Sequence, residues 1–193
     1  MEFRILGTLE ALDGGRELPL RGARQRAVLA ILLLHRGEVV SVDRIVDEVW
    51  GERPPETATK TVQVYVSRLR KALGDGALVT RGGGYAIDVG AEEVDADRFV
   101  RLAAEGREAL DRGDPGAAAE RLREALDIWR GPPLADLAYE SFAQNEIGRL
   151  EEARLAALED RIDAELALGR HAALVGEGSR GSCTARTRVS RHR

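Results

Sequence analysis

Apolar residues alternate loosely at the start of the chain. Phe3, Ile5, Leu9 and Leu12 form a partly alternating run, Gly14-Gly15 marks a hairpin turn, and Glu17 to Leu20 returns, so the opening predicts paired strands. A helix follows from about Ala23 to Arg36 and is stopped by Gly37. Val28 to Leu34 make it apolar almost all round, the pattern of a central, buried helix. Ser41 is placed to cap a second helix, whose apolar residues Val42, Ile45, Val46, Val49 and Trp50 share one stripe. Gly51 is placed as its C′ residue, and the proline pair Pro54-Pro55 forces an extended turn.

The third helix is expected from near Thr57 to Gly74. At 100° per residue, Val62, Val66, Leu69 and Leu73 fall within about 60° of one another, a narrow core stripe. The opposite face carries Thr57, Lys60, Val64, Ser67, Arg68 and Lys71 and no acid. Arg70 falls on the flank, open to an ion pair or a nucleic-acid contact. Leu78 to Arg81, three glycines, then Tyr85 to Asp88 predict a β-hairpin with an arginine at its tip. Tyr85, Trp50 and Trp129 read as packing residues. Arg24 and Arg26, in front of the buried helix, read as solvated surface in preference to phosphate contacts.

The second block reads as helical. Asp95 or Asp97 can cap a helix carrying Phe99, Leu102, Ala103, Gly106 and Leu110, which Gly113 closes. Asp114-Pro115 is an N-cap followed by an N1 proline, and Ala118, Leu122, Ala125, Leu126 and Trp129 form the next stripe, ended by Gly131-Pro132-Pro133. A longer helix, roughly Ser141 to Leu168, is apolar on two sides. Ile147, Leu155, Leu158 and Ile162 make one side; Leu150, Ala153, Ala157, Ala164 and Leu168 make the other. Such a helix needs neighbours on both. A faint repeat relates residues 112–118 to residues 168–174, and the second copy is expected to stop near Gly176. The arginine-rich residues 177–193 read as a disordered basic tail.

Charge divides the chain in the same places. Residues 1–90 hold 13 basic against 12 acidic residues, residues 91–177 hold 11 against 21, and residues 178–193 hold five arginines and no acid. Any DNA-binding face must therefore be local, with binding that weakens steeply as salt rises. The single cysteine, Cys183, allows no intrachain disulfide and suits a reducing cytosol. The longest apolar run is too short to span a bilayer, so a cytoplasmic protein is expected. His35, His171 and His192 are scattered without a second ligand at metal spacing, and no phosphate-binding Gly-Lys-Ser/Thr occurs. No metal, cofactor or catalytic site is expected.

Thr61 to Gly74, with Val79-Thr80-Arg81-Gly82-Gly83-Gly84-Tyr85, resembles the OmpR/PhoB-type winged helix. Phe3 to Gly7, Val42 to Trp50 and Asp127 to Leu134 extend the resemblance, over residues 1–177, to the Streptomyces antibiotic regulatory protein family. That resemblance implies an α+β winged helix-turn-helix domain at 1–90. It implies an all-α, tetratricopeptide-like bacterial transcriptional activation domain at 95–176. It further implies an activator of secondary-metabolite gene clusters that binds direct repeats in double-stranded DNA near a promoter, usually as a homodimer, and contacts the RNA polymerase holoenzyme. On the family's motif, Arg68 matches a groove-facing arginine and Arg81 the wing arginine that reaches the minor groove. Lys60, Thr61, Gln63, Val64, Tyr65, Ser67 and Lys71 match base- or phosphate-facing positions. Two other readings stay open: a truncated DNA-binding module that cannot recruit polymerase, and a helical-repeat protein whose winged helix binds protein only.

Overall fold

The computed structural model describes residues 1–74 and 76–169. The expected tail at 177–193, and the second copy of the repeat after Gly169, lie outside the described residues.

Strands β1 (Glu2–Arg4), β2 (Glu10–Asp13) and β3 (Arg16–Glu17) form an antiparallel sheet in that order. Gly14 and Gly15 turn β2 into β3 with φ of 55° and 82°, a backbone that glycine adopts without strain. Helix α1 (Ala23–Leu34) is buried from Ala27 to Leu33 and packs on α2 (Val42–Trp50), α3 (Ala58–Leu73) and the second sheet. Neighbours on several sides explain why its sequence is apolar all round. That second sheet has the order β4 (Val40–Ser41), β6 (Gly84–Ile87), β5 (Leu78–Arg81), all antiparallel. Ser41 caps α2 by accepting the Arg44 N–H at 3.2 Å, and the Gly51 N–H donates to the Asp47 carbonyl at 2.8 Å.

The helical block comprises α4 (Asp95–Asp111), α5 (Pro115–Asp127) and α6 (Ser141–Ala167). Asp114 caps α5 by accepting the Ala117 N–H at 3.0 Å, ahead of a proline at the first helical position. Helices α4 and α5 approach closely at Gly106, where an added Cβ would meet the Leu122 Cγ at 2.5 Å. Helix α6 buries Ala143, Leu150, Ala157 and Ala164. Its other apolar side is covered only in part among the described residues: Ile147 packs against the core and Leu158 is half-buried, while Leu155 is 61 % exposed and Ile162 42 %. The two-sided apolar pattern is real, but the second side is packed only in part there.

The blocks are stitched together through β1 and the loop behind it. Asp95 does not cap its own helix; Val94 takes the N-cap position. The Asp95 carboxylate instead accepts the N–H groups of Ile5 at 2.7 Å and Leu6 at 3.1 Å, with the Arg130 guanidinium 3.7 Å away. Asp97 pairs with Arg36 of the first block. The N–H of Arg130 donates to the Leu6 carbonyl and that of Leu134 to the Ile5 carbonyl, both at 2.8 Å. Asp136 accepts the Leu9 N–H at 2.8 Å and the Arg26 Nε at 2.6 Å. Arg26 is thus a tie between blocks, not solvated surface. Arg24 lies over the Trp50 ring at 5.4 Å, and Arg154 over Trp129 at 4.7 Å. Both tryptophans are half-buried under arginines rather than fully in the core, which is how an amphipathic indole is covered at a surface.

Candidate nucleic-acid interface

Helix α3 is positioned by its own sequence. Ala58, Val62, Val66, Leu69 and Leu73 bury one face against α1 and α2, which turns the opposite face outward. Lys60, Gln63, Val64, Ser67, Arg68 and Lys71 together line one open groove of about 520 Å³ on that face. All six are exposed, Val64 at 46 %. No carboxylate occurs between Thr57 and Gly74, so the cations there keep their field. Arg70 and Lys71 occupy the last turn, where positive charge complements the helix dipole.

Thr61 and Tyr65 stand apart from this set. Both are half-buried; Tyr65 packs against the core and the Thr61 hydroxyl donates to the Thr57 carbonyl at 2.9 Å. Among the described residues Arg70 makes no ion pair, and its bonds run to the hairpin. Its Nε donates to the Leu78 carbonyl at 3.0 Å and its terminal nitrogen to the Thr80 hydroxyl at 2.7 Å, while the guanidinium covers the Tyr85 ring at 5.9 Å. It is the brace between α3 and the hairpin, a role that depends on strands eight and more residues away. Tyr85 is buried, as its place in the pattern implies.

Arg81 is exposed at the end of β5, beside a turn made by Gly82 and Gly83 with φ of 52° and 83°. Two residues at positive φ give the hairpin turn whose twist matches its strands. Gly84 does something else. It lies within β6, and a Cβ there would stand 2.2 Å from the Val40 carbonyl oxygen. The three consecutive glycines therefore divide into two for the tip and one for strand contact. Exposed cations on the outward face of a packed helix, with an arginine-tipped hairpin braced to it, can engage a polyanion and can probe a groove about as wide as a helix.

Comparison with known proteins decides the family. Residues 15–87 match the model for "Transcriptional regulatory protein, C terminal" and residues 94–185 that for "Bacterial transcriptional activator domain". The chain is 40 % identical over 188 residues to the regulatory protein DnrI of Streptomyces peucetius, covering 92 % of this chain and 69 % of that one. The chain belongs to the Streptomyces antibiotic regulatory protein family. It is 41 % identical over 178 residues to the regulatory protein AfsR of Streptomyces coelicolor, covering 92 % of this chain but 18 % of AfsR. The solved structure of Mycobacterium tuberculosis EmbR in complex with a low affinity phosphopeptide superposes with a TM-score of 0.88 at 33 % identity, over 94 % of this chain and 49 % of that one. Membership of the Streptomyces antibiotic regulatory protein family makes this a DNA-binding transcriptional regulator, built as a winged helix followed by a helical activator domain. Among the described residues, no helix is long and apolar enough to cross a membrane.

Proposed function

We propose that this regulator reads promoter DNA with α3 in the major groove and the Arg81 hairpin along the minor groove. The DNA-binding unit spans residues 1–90, and a helical activation unit runs from 95 to 176. The observation that carries the reading is the acid-free, cationic face of α3, held outward by a fully buried opposite face. Arg68 suits a guanine, whose O6 and N7 its fork can meet together. Lys60, Gln63, Val64, Ser67 and Lys71 supply the neighbouring base and phosphate contacts, and Thr61 and Tyr65 hold the flank. The helical unit provides contacts to RNA polymerase and to a second copy on a direct repeat. The regulated genes are those of a secondary-metabolite cluster, and the work is done in the cytoplasm without a catalytic step.

The test is quantitative footprinting and a salt titration on promoter fragments from the gene's own neighbourhood. Arg68→Ala is expected to cost about 1–3 kcal/mol of binding and to relax preference at one base pair. Arg81→Ala should weaken binding and lower the salt slope by about 1. An unchanged footprint in the first variant removes Arg68 from base reading. Occupancy without activation in a reporter strain assigns the chain to the module that binds DNA but does not recruit polymerase.

A further inference from the structure

The first turn of α1 reaches a cleft beside α3 through Gln25. Gly22 precedes the helix at φ 84°, no side chain caps it, and its first turn carries no acid. The N–H groups of Ala23, Arg24 and Gln25 thus lack the intrahelical acceptors that later residues have. The cleft measures about 460 Å³ and is lined by Pro19, Arg21, Gln25, Arg68, Lys71 and Ala72. Its three charged side chains are all cationic, and no described carboxylate pairs with them.

Gln25 is the second, independent observation. It is a polar residue on the most apolar of the described helices, only 2 % exposed, and its buried Oε1 has no hydrogen-bond partner among the described residues. A buried amide left without a partner is unfavourable, and native chains keep few of them. The same amide carries an NH₂ donor, on a residue that lines the cleft. The buried amide, the free first turn of a helix and flanking cations are all donors, and together they fit a tetrahedral oxyanion.

We propose that this cleft seats one phosphate of the DNA backbone, held by Arg21, Lys71, the Gln25 amide and the first turn of α1. Continuity with the interface names the source of the phosphate. Arg68 and Lys71 line both the cleft and the groove on α3, so DNA lying on α3 brings its backbone past the cleft. The proposal rests on the reading of α3 as the recognition helix and adds the contact that would fix its depth and angle in the groove. Such a contact positions without specifying sequence.

Arg21 is exposed, so Arg21→Ala leaves the core untouched. The variant is expected to bind specific and non-specific duplex several-fold more weakly by the same factor. Its base preference should stay unchanged, and its salt slope should fall by about 0.9. A scan of single methylphosphonate substitutions should find one position that weakens the wild type and not Arg21→Ala. Wild-type binding with base preference, alongside an Arg21→Ala variant of unchanged affinity and slope, overturns the phosphate seat and leaves the DNA reading standing. Absence of wild-type binding at low salt overturns both. Saturable amide shifts at residues 23–25 with inorganic phosphate alone, and no methylphosphonate coupling, would assign the cleft to a free anion and overturn the proposal.

Discussion

Asp95→Ala is expected to destabilise the chain by about 3–5 kcal/mol, the cost of breaking a buried charged hydrogen-bond set from one side. The carboxylate is 1 % exposed and is the acceptor for two main-chain N–H groups in the other block. Alanine leaves both amides buried with nothing to donate to, at about 1–3 kcal/mol each, and leaves the Arg130 guanidinium with Glu10 and the Thr8 carbonyl as its partners. Urea unfolding measures the loss; a change under about 1 kcal/mol would show that water takes over the acceptor role. Asp95→Asn keeps one oxygen, should lose less, and isolates the charge. Burial pushes the Asp95 carboxyl above its ordinary 3.8, while the Ile5 and Leu6 amides and Arg130 pull the other way. A carboxyl with a raised folded pKa binds its proton more readily in the folded chain. Its contribution to stability is full below the ordinary aspartate range and is lost as pH rises through the raised value. Glu2 runs the opposite way. Its hydrogen bond from Arg4 holds it below 4.5, so its contribution is present above that value and lost as pH falls through the folded one. Asp95→Asn removes only the first effect. The stability difference between wild type and this variant should therefore widen as pH is lowered from neutral towards 4; a difference that narrows would show that the carboxylate is favoured in its charged form.

Gly84→Ala is the second large effect, expected to cost about 3 kcal/mol through overpacking. Gly84 pairs with Ser41 on one side and Arg81 on the other. Its added methyl would collide with the Val40 carbonyl, whose oxygen is 2.2 Å and carbon 2.8 Å away. Those are backbone atoms and cannot rotate aside, so β4 must part from β6. Gly82→Ala and Gly83→Ala provide the contrast. Their φ values are positive and nothing lies within 4 Å, so they should cost about 1 kcal/mol each through backbone strain alone. Melting temperatures of the three variants, with amide exchange at Val40 and Tyr85, test the division. Equal losses in all three would remove the special role given to Gly84. Because β6 carries the hairpin, Gly84→Ala should also weaken DNA binding.

The helices were legible because periodicity and capping are local properties. Ser41, Gly51 and Asp114 bond within a few residues of themselves, and sequence places them correctly. The outward face of α3 was legible for the same reason: one wheel separates Val62, Val66, Leu69 and Leu73 from Lys60, Arg68 and Lys71. The stitching was not. Asp95, Asp136, Arg26 and Arg130 look like any other charges in a chain that is about one-third charged. Their acceptors and donors lie far away in sequence, so no spacing announces them. Gln25 and Arg21 carry no local signal either, since a cleft is made by two elements and neither shows it alone. Arg70 owes its role to Leu78, Thr80 and Tyr85, a brace visible only once the hairpin has folded back.

The bonds between Ile5, Leu6 and Asp95 span about 90 positions, and that between Leu9 and Asp136 spans 127. A ribosome adds about 5–20 residues per second, so the first segment waits roughly 5–25 s for its partners to be made. Through that interval the N–H groups of Ile5, Leu6 and Leu9, residues buried in the finished fold, are without the acceptors that Asp95 and Asp136 later supply. The winged helix is thus completed by residues translated well after its own last strand. The amino end of this regulator is therefore the last part of the DNA-binding unit to gain its full set of hydrogen bonds during synthesis.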